Sequence, residues 1–119
     1  MRLSVKTRKI DDIVLLDLSG RLTIGEPTLL LRETIRRFVA DGSSKFGINL
    51  GDVSYIDSAG LGELIAIFTT IRNKGGDVKL LNLTAKAKDL LQMTKLLTVF
   101  DTNDDEGKAV EALKGMGAA

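Results

Sequence analysis

An acid and an alcohol stand side by side in the segment Gly51 to Gly62, GDVSYIDSAGLG: the Asp57 carboxylate and the Ser58 hydroxyl. A serine hydroxyl can be activated as a nucleophile, accept a phosphoryl group, or cap a helix, and its surroundings decide among these roles. Activation needs a base and an orienting partner. The chain contains no His and no Cys, which excludes Ser-His-Asp triads, Cys-His dyads, imidazole and thiolate metal sites, and disulfides. Phosphoryl acceptance and capping both remain.

The residues after Ser58 bear on that choice. A buried strand runs into Asp57-Ser58, and the helix that follows has two glycines in its first turns, each costing about 1 kcal/mol relative to alanine. One account is close approach: without a Cβ, Gly60 and Gly62 leave the helix start flat, so a protein or a phosphate can reach Ser58 and the free amides. The other is that Asp57 or Ser58 caps the helix while the glycines allow tight packing against the strand ends. Spacing alone leaves both open.

The elements that position this segment follow from periodicity. Residues 3 to 9 alternate weakly, as an edge strand does, and Asp11-Asp12 turns the chain into the dense apolar run Ile13 to Leu18, which ends at Ser19-Gly20. Pro27 suits a first helical turn, and Leu31, Ile35, Phe38 and Val39 share one helical face opposite Arg32, Glu33, Arg36 and Arg37, with Asp41-Gly42 as the stop. Phe46 to Leu50 and Val53 to Ile56 read as strand. Leu61, Leu64, Ile65, Phe68 and Ile71 form the apolar stripe of a second helix that Asn73-Lys74-Gly75-Gly76 terminates. Val78 to Leu83 is a further strand, Thr84 caps a short helix through Leu91 and Met93, Val99-Phe100 adds a last strand segment, and the acidic run Asp101 to Glu106 opens a C-terminal helix.

Strands and helices thus alternate after an initial β-β pair, which predicts an α/β domain: a mixed sheet of four to five strands with about four helices, mostly on one face. At 119 residues, 44% apolar and 28% charged with a single Pro, the chain has the size and composition of one domain over residues 1–119. Its expected core is residues 3–113, with 114–119 a frayed tail. Seventeen basic against sixteen acidic residues leave a net charge of +1, so no field exists to hold a phosphate backbone, and direct nucleic-acid binding is not expected. Charges interrupt every apolar stretch of MRLSVKTRKIDD and no later run reaches membrane-spanning length, which makes the cytoplasm the expected location.

The segment Asp57-Ser58-Ala59-Gly60-Leu61-Gly62 resembles the phosphorylation motif of STAS-domain anti-sigma factor antagonists, Asp-Ser-(Ser/Thr/Ala)-Gly-Leu-Gly at the start of the second helix. The resemblance extends from LSGRLTIGEP before the first helix to KLLNLTAKAKDLLQMTKLLTVFD near the end, covering about residues 3 to 113. It implies the STAS fold, no enzymatic activity, and no cofactor or metal. It also implies a phospho-acceptor at Ser58, modified by an anti-sigma factor that is itself a serine kinase and restored by a PP2C-type, metal-dependent phosphatase. Ala59 stands where many relatives carry a second hydroxyl, so the kinase meets one acceptor here. The loop Gly20 to Glu26 is implied to lie beside the phosphosite, with Thr23, Gly25, Glu26, Asp57, Ala59, Gly60, Leu61 and Gly62 facing the partner of a monomer or weak dimer. Several relatives place an Asp where Thr23 stands, and that charge is missing.

Other readings fit less well. A receiver domain needs an acidic pair at the end of its first strand, whereas Asp11-Asp12 precede the apolar strand. Neither G-x-x-x-x-G-K-[ST] nor G-x-G-x-x-G occurs. Lys86, Lys88 and Lys95 read as a solvated helix face rather than a basic patch, and the acidic run lacks an EF-hand pattern. Within the same fold, the alternative is a non-switching scaffold subunit of a signalling assembly or of a membrane lipid transporter.

Overall fold

The computed structural model describes residues 2–93, 101–103 and 106–115. Its elements are β1 (Ser4–Ile10), β2 (Ile13–Leu22), α1 (Glu26–Ala40), β3 (Lys45–Ile56), α2 (Ser58–Asn73), β4 (Asp77–Leu81), α3 (Ala85–Met93), β5 (Asp101–Asn103) and α4 (Glu106–Lys114). The sheet has five strands in the order β1-β2-β3-β4-β5, β1 pairing antiparallel with β2 and every later neighbour parallel. β1 is an edge strand, and its hairpin turns at Asp11, whose φ is 55°. The predicted mixed sheet and four helices are therefore present.

Two cores of unequal size sandwich the sheet. Val14, Leu16, Phe46, Ile48 and Leu80 form the larger one with Leu31 and Ile35 of α1, Leu64 and Ile71 of α2, and Leu91 of α3. Strand alternation turns Ile13, Leu15 and Leu81 to the other face, where Ala109, Val110 and Leu113 of α4 cover them. Each fully buried leucine contributes about 1.5–3 kcal/mol to holding these layers. Arg8 ties α4 to the hairpin: it pairs with Asp17 at 2.8 Å and also with Glu106, and together these carboxylates hold its guanidinium more strongly protonated than usual.

Several boundaries differ from expectation. β2 does not stop at Ser19-Gly20 but continues to Leu22, opposite Ile56 of β3, through two register shifts. Gly20 accommodates the bend with φ of 107°, and a Cβ there would meet the Arg2 carbonyl oxygen at 2.4 Å. Phe46 to Leu50 and Val53 to Ile56 fuse into the single long strand β3. Asp101 belongs to β5 rather than to the start of the last helix, whose first turn carries Glu106. Val99, Phe100 and Lys95 lie outside the described residues, as do residues 116–119; Lys114 closes α4 and pairs with Asp11 at 2.9 Å. Among the described residues no helix is long and apolar enough to cross a membrane.

Candidate functional site

Parallel pairing carries β2 and β3 to the same end of the sheet, and the chain enters α2 there with a single linking residue, Asp57. Asp57 keeps extended backbone, φ −92° and ψ −178°, and its N–H donates to the Leu22 carbonyl at 3.2 Å, one last step beyond the ladder. The side chain then divides its two oxygens. Oδ1 accepts the Gly60 N–H at 2.7 Å and caps α2, while Oδ2 accepts the Ile24 N–H at 2.9 Å from the loop between β2 and α1. The bond from Ile24, followed by that from Gly60, holds the carboxyl below the ordinary aspartate range, because both stabilise the ionised form.

Ser58 is the first residue of α2 and is exposed. The capping question is thus resolved in favour of Asp57, and the Gly60 amide at this helix start is already engaged by its carboxylate. The two glycines have opposite surroundings. Gly60 is buried, and a Cβ on it would stand 2.2 Å from the Leu22 carbonyl oxygen; Gly62 is exposed, with nothing within 4 Å of its Cβ position. The flat-surface reading therefore applies to Gly62 and is corrected at Gly60, where the missing side chain lets α2 seat against the end of β2. Leu61, 8% exposed, also packs inward. The outward surface beside Ser58 comprises Gly62, with Ala59 half-buried.

The loop reaches this surface through the Asp57 bond. Because β2 runs to Leu22, the loop is only Thr23, Ile24 and Gly25, and Glu26 already begins α1. Gly25 takes φ 100° as the N-cap of α1, a conformation open to glycine, and its carbonyl accepts from the Leu29 N–H and the Thr28 hydroxyl. Thr23 is half-buried and Glu26 is exposed. Between them Ile24 is 75% exposed, a large apolar side chain on a loop whose backbone is tied to Asp57, the residue before Ser58.

Ile24 was expected only as one residue of the Gly20 to Glu26 loop, with no role of its own, although an isoleucine in a short polar loop is itself a signal; Glu63 escaped the sequence reading altogether. Glu63 lies on the inward face of α2, 6% exposed, where Arg32 of α1 grips one of its oxygens at 2.7 and 3.0 Å. A charge in an apolar helical stripe was the available clue. Lys86 and Lys88 are exposed on α3, and Lys86 borders a separate apolar groove of about 280 Å³ between Val53–Ile56 and α3.

This geometry has counterparts among known proteins. A model of the STAS domain matches residues 4–109. The anti-sigma-B factor antagonist of Bacillus subtilis is 27% identical over 101 residues, 85% of this chain and 91% of that protein. The crystal structure of a candidate anti-sigma factor antagonist from Thermotoga maritima superposes with a TM-score of 0.86 at 27% identity, covering 92% of this chain and 94% of the other. The Bacillus cell fate determinant SpoIIAA, solved in its phosphorylated form, shares the fold with a TM-score of 0.72 at 19% identity over 92% of this chain and 98% of that one.

Proposed function

The chain belongs to the STAS domain family, and from that premise we propose that it is an anti-sigma factor antagonist whose binding is controlled at Ser58. Unmodified, it binds an anti-sigma factor that is also a serine kinase; phosphorylation of Ser58 releases it, and a PP2C-type phosphatase resets it, all in the cytoplasm. Its own role in this cycle is binding rather than catalysis.

The observation that carries this reading is the exposure of Ser58 on a surface shared with the Ile24 loop and Gly62. A phosphate there adds about −1.5 to −2 charges. Ser58 points to solvent and the cap of α2 is made by Asp57, so the added group meets no packed neighbour and the fold survives. The Gly60 amide, however, is already occupied by Asp57, and the adjacent carboxylate raises the local negative charge. A partner packed over this surface must therefore bury a poorly compensated dianion. That costs several kcal/mol, or a loss of two or more orders of magnitude in affinity.

Incubation with the cognate kinase and ATP, followed by mass-spectrometric mapping, tests the assignment. The expected result is a single modified residue, Ser58. Ser58→Ala should bind the kinase at least as tightly as wild type and stay bound in ATP. Modification at another residue, or unchanged binding by Ser58→Asp, contradicts the reading and leaves the non-switching scaffold as its replacement.

A further inference from the structure

The β2–α1 loop is short and restrained from both sides. On one side the Gly25 carbonyl is held by the Leu29 N–H at 3.1 Å and the Thr28 hydroxyl at 3.0 Å, both in the first turn of α1. On the other, the Ile24 N–H is held by Asp57 Oδ2 at 2.9 Å. What this restraint presents to solvent is the Ile24 side chain, the most exposed large aliphatic among the described residues outside α3. An exposed isoleucine on a fixed loop loses little conformational freedom on association, the condition under which a side chain becomes an anchor. Asp57 therefore does two separable things: Oδ1 caps α2, and Oδ2 fixes the anchor.

Resting on the antagonist reading above, we propose that Asp57 is the positioning residue that couples Ser58 to this loop, holding Ile24 out as the apolar anchor for the anti-sigma factor, and that a phosphate on Ser58 releases the loop. The phosphate hangs from the residue next to Asp57 and repels the carboxylate that holds the Ile24 N–H. Phosphorylation thus acts twice, by placing charge in the interface and by freeing Ile24.

The two roles of Asp57 can be separated with one substitution. Asparagine caps helices about as well as aspartate, so Asp57→Asn keeps an oxygen for the Gly60 N–H. Its amide nitrogen then faces the Ile24 N–H, donor against donor. Amide hydrogen exchange read by NMR follows Ile24 and Gly60 without any partner. In Asp57→Asn, and in the chain carrying phosphoserine at position 58 by genetic encoding, Ile24 exchange should quicken about tenfold or more, while Gly60 in Asp57→Asn stays protected. Against the cognate anti-sigma kinase, Ile24→Ala and Asp57→Asn should each weaken binding about tenfold, and the double variant should be no worse than either alone.

Unchanged Ile24 exchange in Asp57→Asn overturns the positioning role, and unchanged exchange in the phosphoprotein overturns the coupling. Additive losses in the double variant overturn it as well, because Asp57 would then touch the partner itself. If the wild-type chain does not bind the kinase, the functional reading fails, and the exchange measurements alone still decide whether Asp57 couples Ser58 to the loop.

Discussion

Replacing each of the two glycines of α2 by alanine should change stability with opposite signs, although the residues lie two positions apart in one helix. Alanine is favoured over glycine in a helix interior by about 1 kcal/mol. At Gly62 nothing lies within 4 Å of the new methyl, so the whole gain is realised. At Gly60 the methyl carbon would stand 2.2 Å from the Leu22 carbonyl oxygen and 3.0 Å from its carbonyl carbon. An ordinary contact needs about 1 Å more, and the obstacle is backbone in the sheet. The start of α2 must retreat, loosening the Asp57 N–H to Leu22 bond at 3.2 Å and the Ile24 bond at 2.9 Å. Overpacking of this kind costs about 1–3 kcal/mol and each loosened hydrogen bond about 1 kcal/mol more, which outweighs the propensity gain.

Over 119 residues, an unfolding entropy of about 2.1 cal/mol/K per residue converts 1 kcal/mol into about 4 °C. Gly62→Ala should therefore melt about 4 °C above wild type and Gly60→Ala, with a net cost of about 2–4 kcal/mol, about 8–16 °C below it, read by calorimetry or by circular dichroism at 222 nm. A Gly60→Ala variant melting at or above the wild-type temperature would refute the seating of α2 against β2.

Three further outcomes follow from neighbouring contacts. The Asp57 carboxyl is depressed in the folded state, so its contribution is present at pH 7 and is lost as pH falls through the folded value; the Tm gap between wild type and Asp57→Ala should narrow below about pH 4. A gap that widens in acid would contradict the assignment. Arg32→Ala strands the Glu63 carboxylate, 6% exposed, between α1 and α2; Tm should fall, and Arg32→Ala combined with Glu63→Met should recover most of the loss, as thermal melts of the three variants would show. Leu113→Ala opens a cavity in the small core under α4, where Leu113 is fully buried; urea unfolding should show a loss of about 2–4 kcal/mol.

Much of the fold was legible because its signals are local. The apolar stripes at helical spacing in α1 and α2, the run Ile13 to Leu18, Thr84 before α3 and the glycines after each long helix have the same meaning before and after folding. Thr84 accepts the Ala87 N–H at 3.1 Å, and Gly42 and Gly75 both take positive φ. The misplaced features depend on what a residue meets across the chain. The extension of β2 to Leu22 needs β3 alongside it, and the bulges that maintain pairing leave no periodic trace. The second core under α4 was invisible because Ile13 and Leu15 sit in a continuous apolar run that does not show which face each residue takes.

At the site, the sequence showed the acid, the alcohol and two glycines, but not their directions. Gly60 and Gly62 are equivalent in a pattern and opposite in space: one turns its missing Cβ to the Leu22 carbonyl and the other to solvent. Likewise, an Asp before a helix predicts a cap but not a second bond to a loop 33 residues earlier. Only the register of β2 against β3 sets Ile24 beside Asp57.

The most direct test of the switch is an affinity comparison between the unmodified chain and the same chain with phosphoserine at position 58, each titrated with the cognate anti-sigma kinase without ATP. A switch at Ser58 requires that phosphorylation weaken binding at least about 100-fold, while the circular dichroism spectrum stays unchanged. Equal affinities, or a phosphoprotein that has lost its fold, would contradict it.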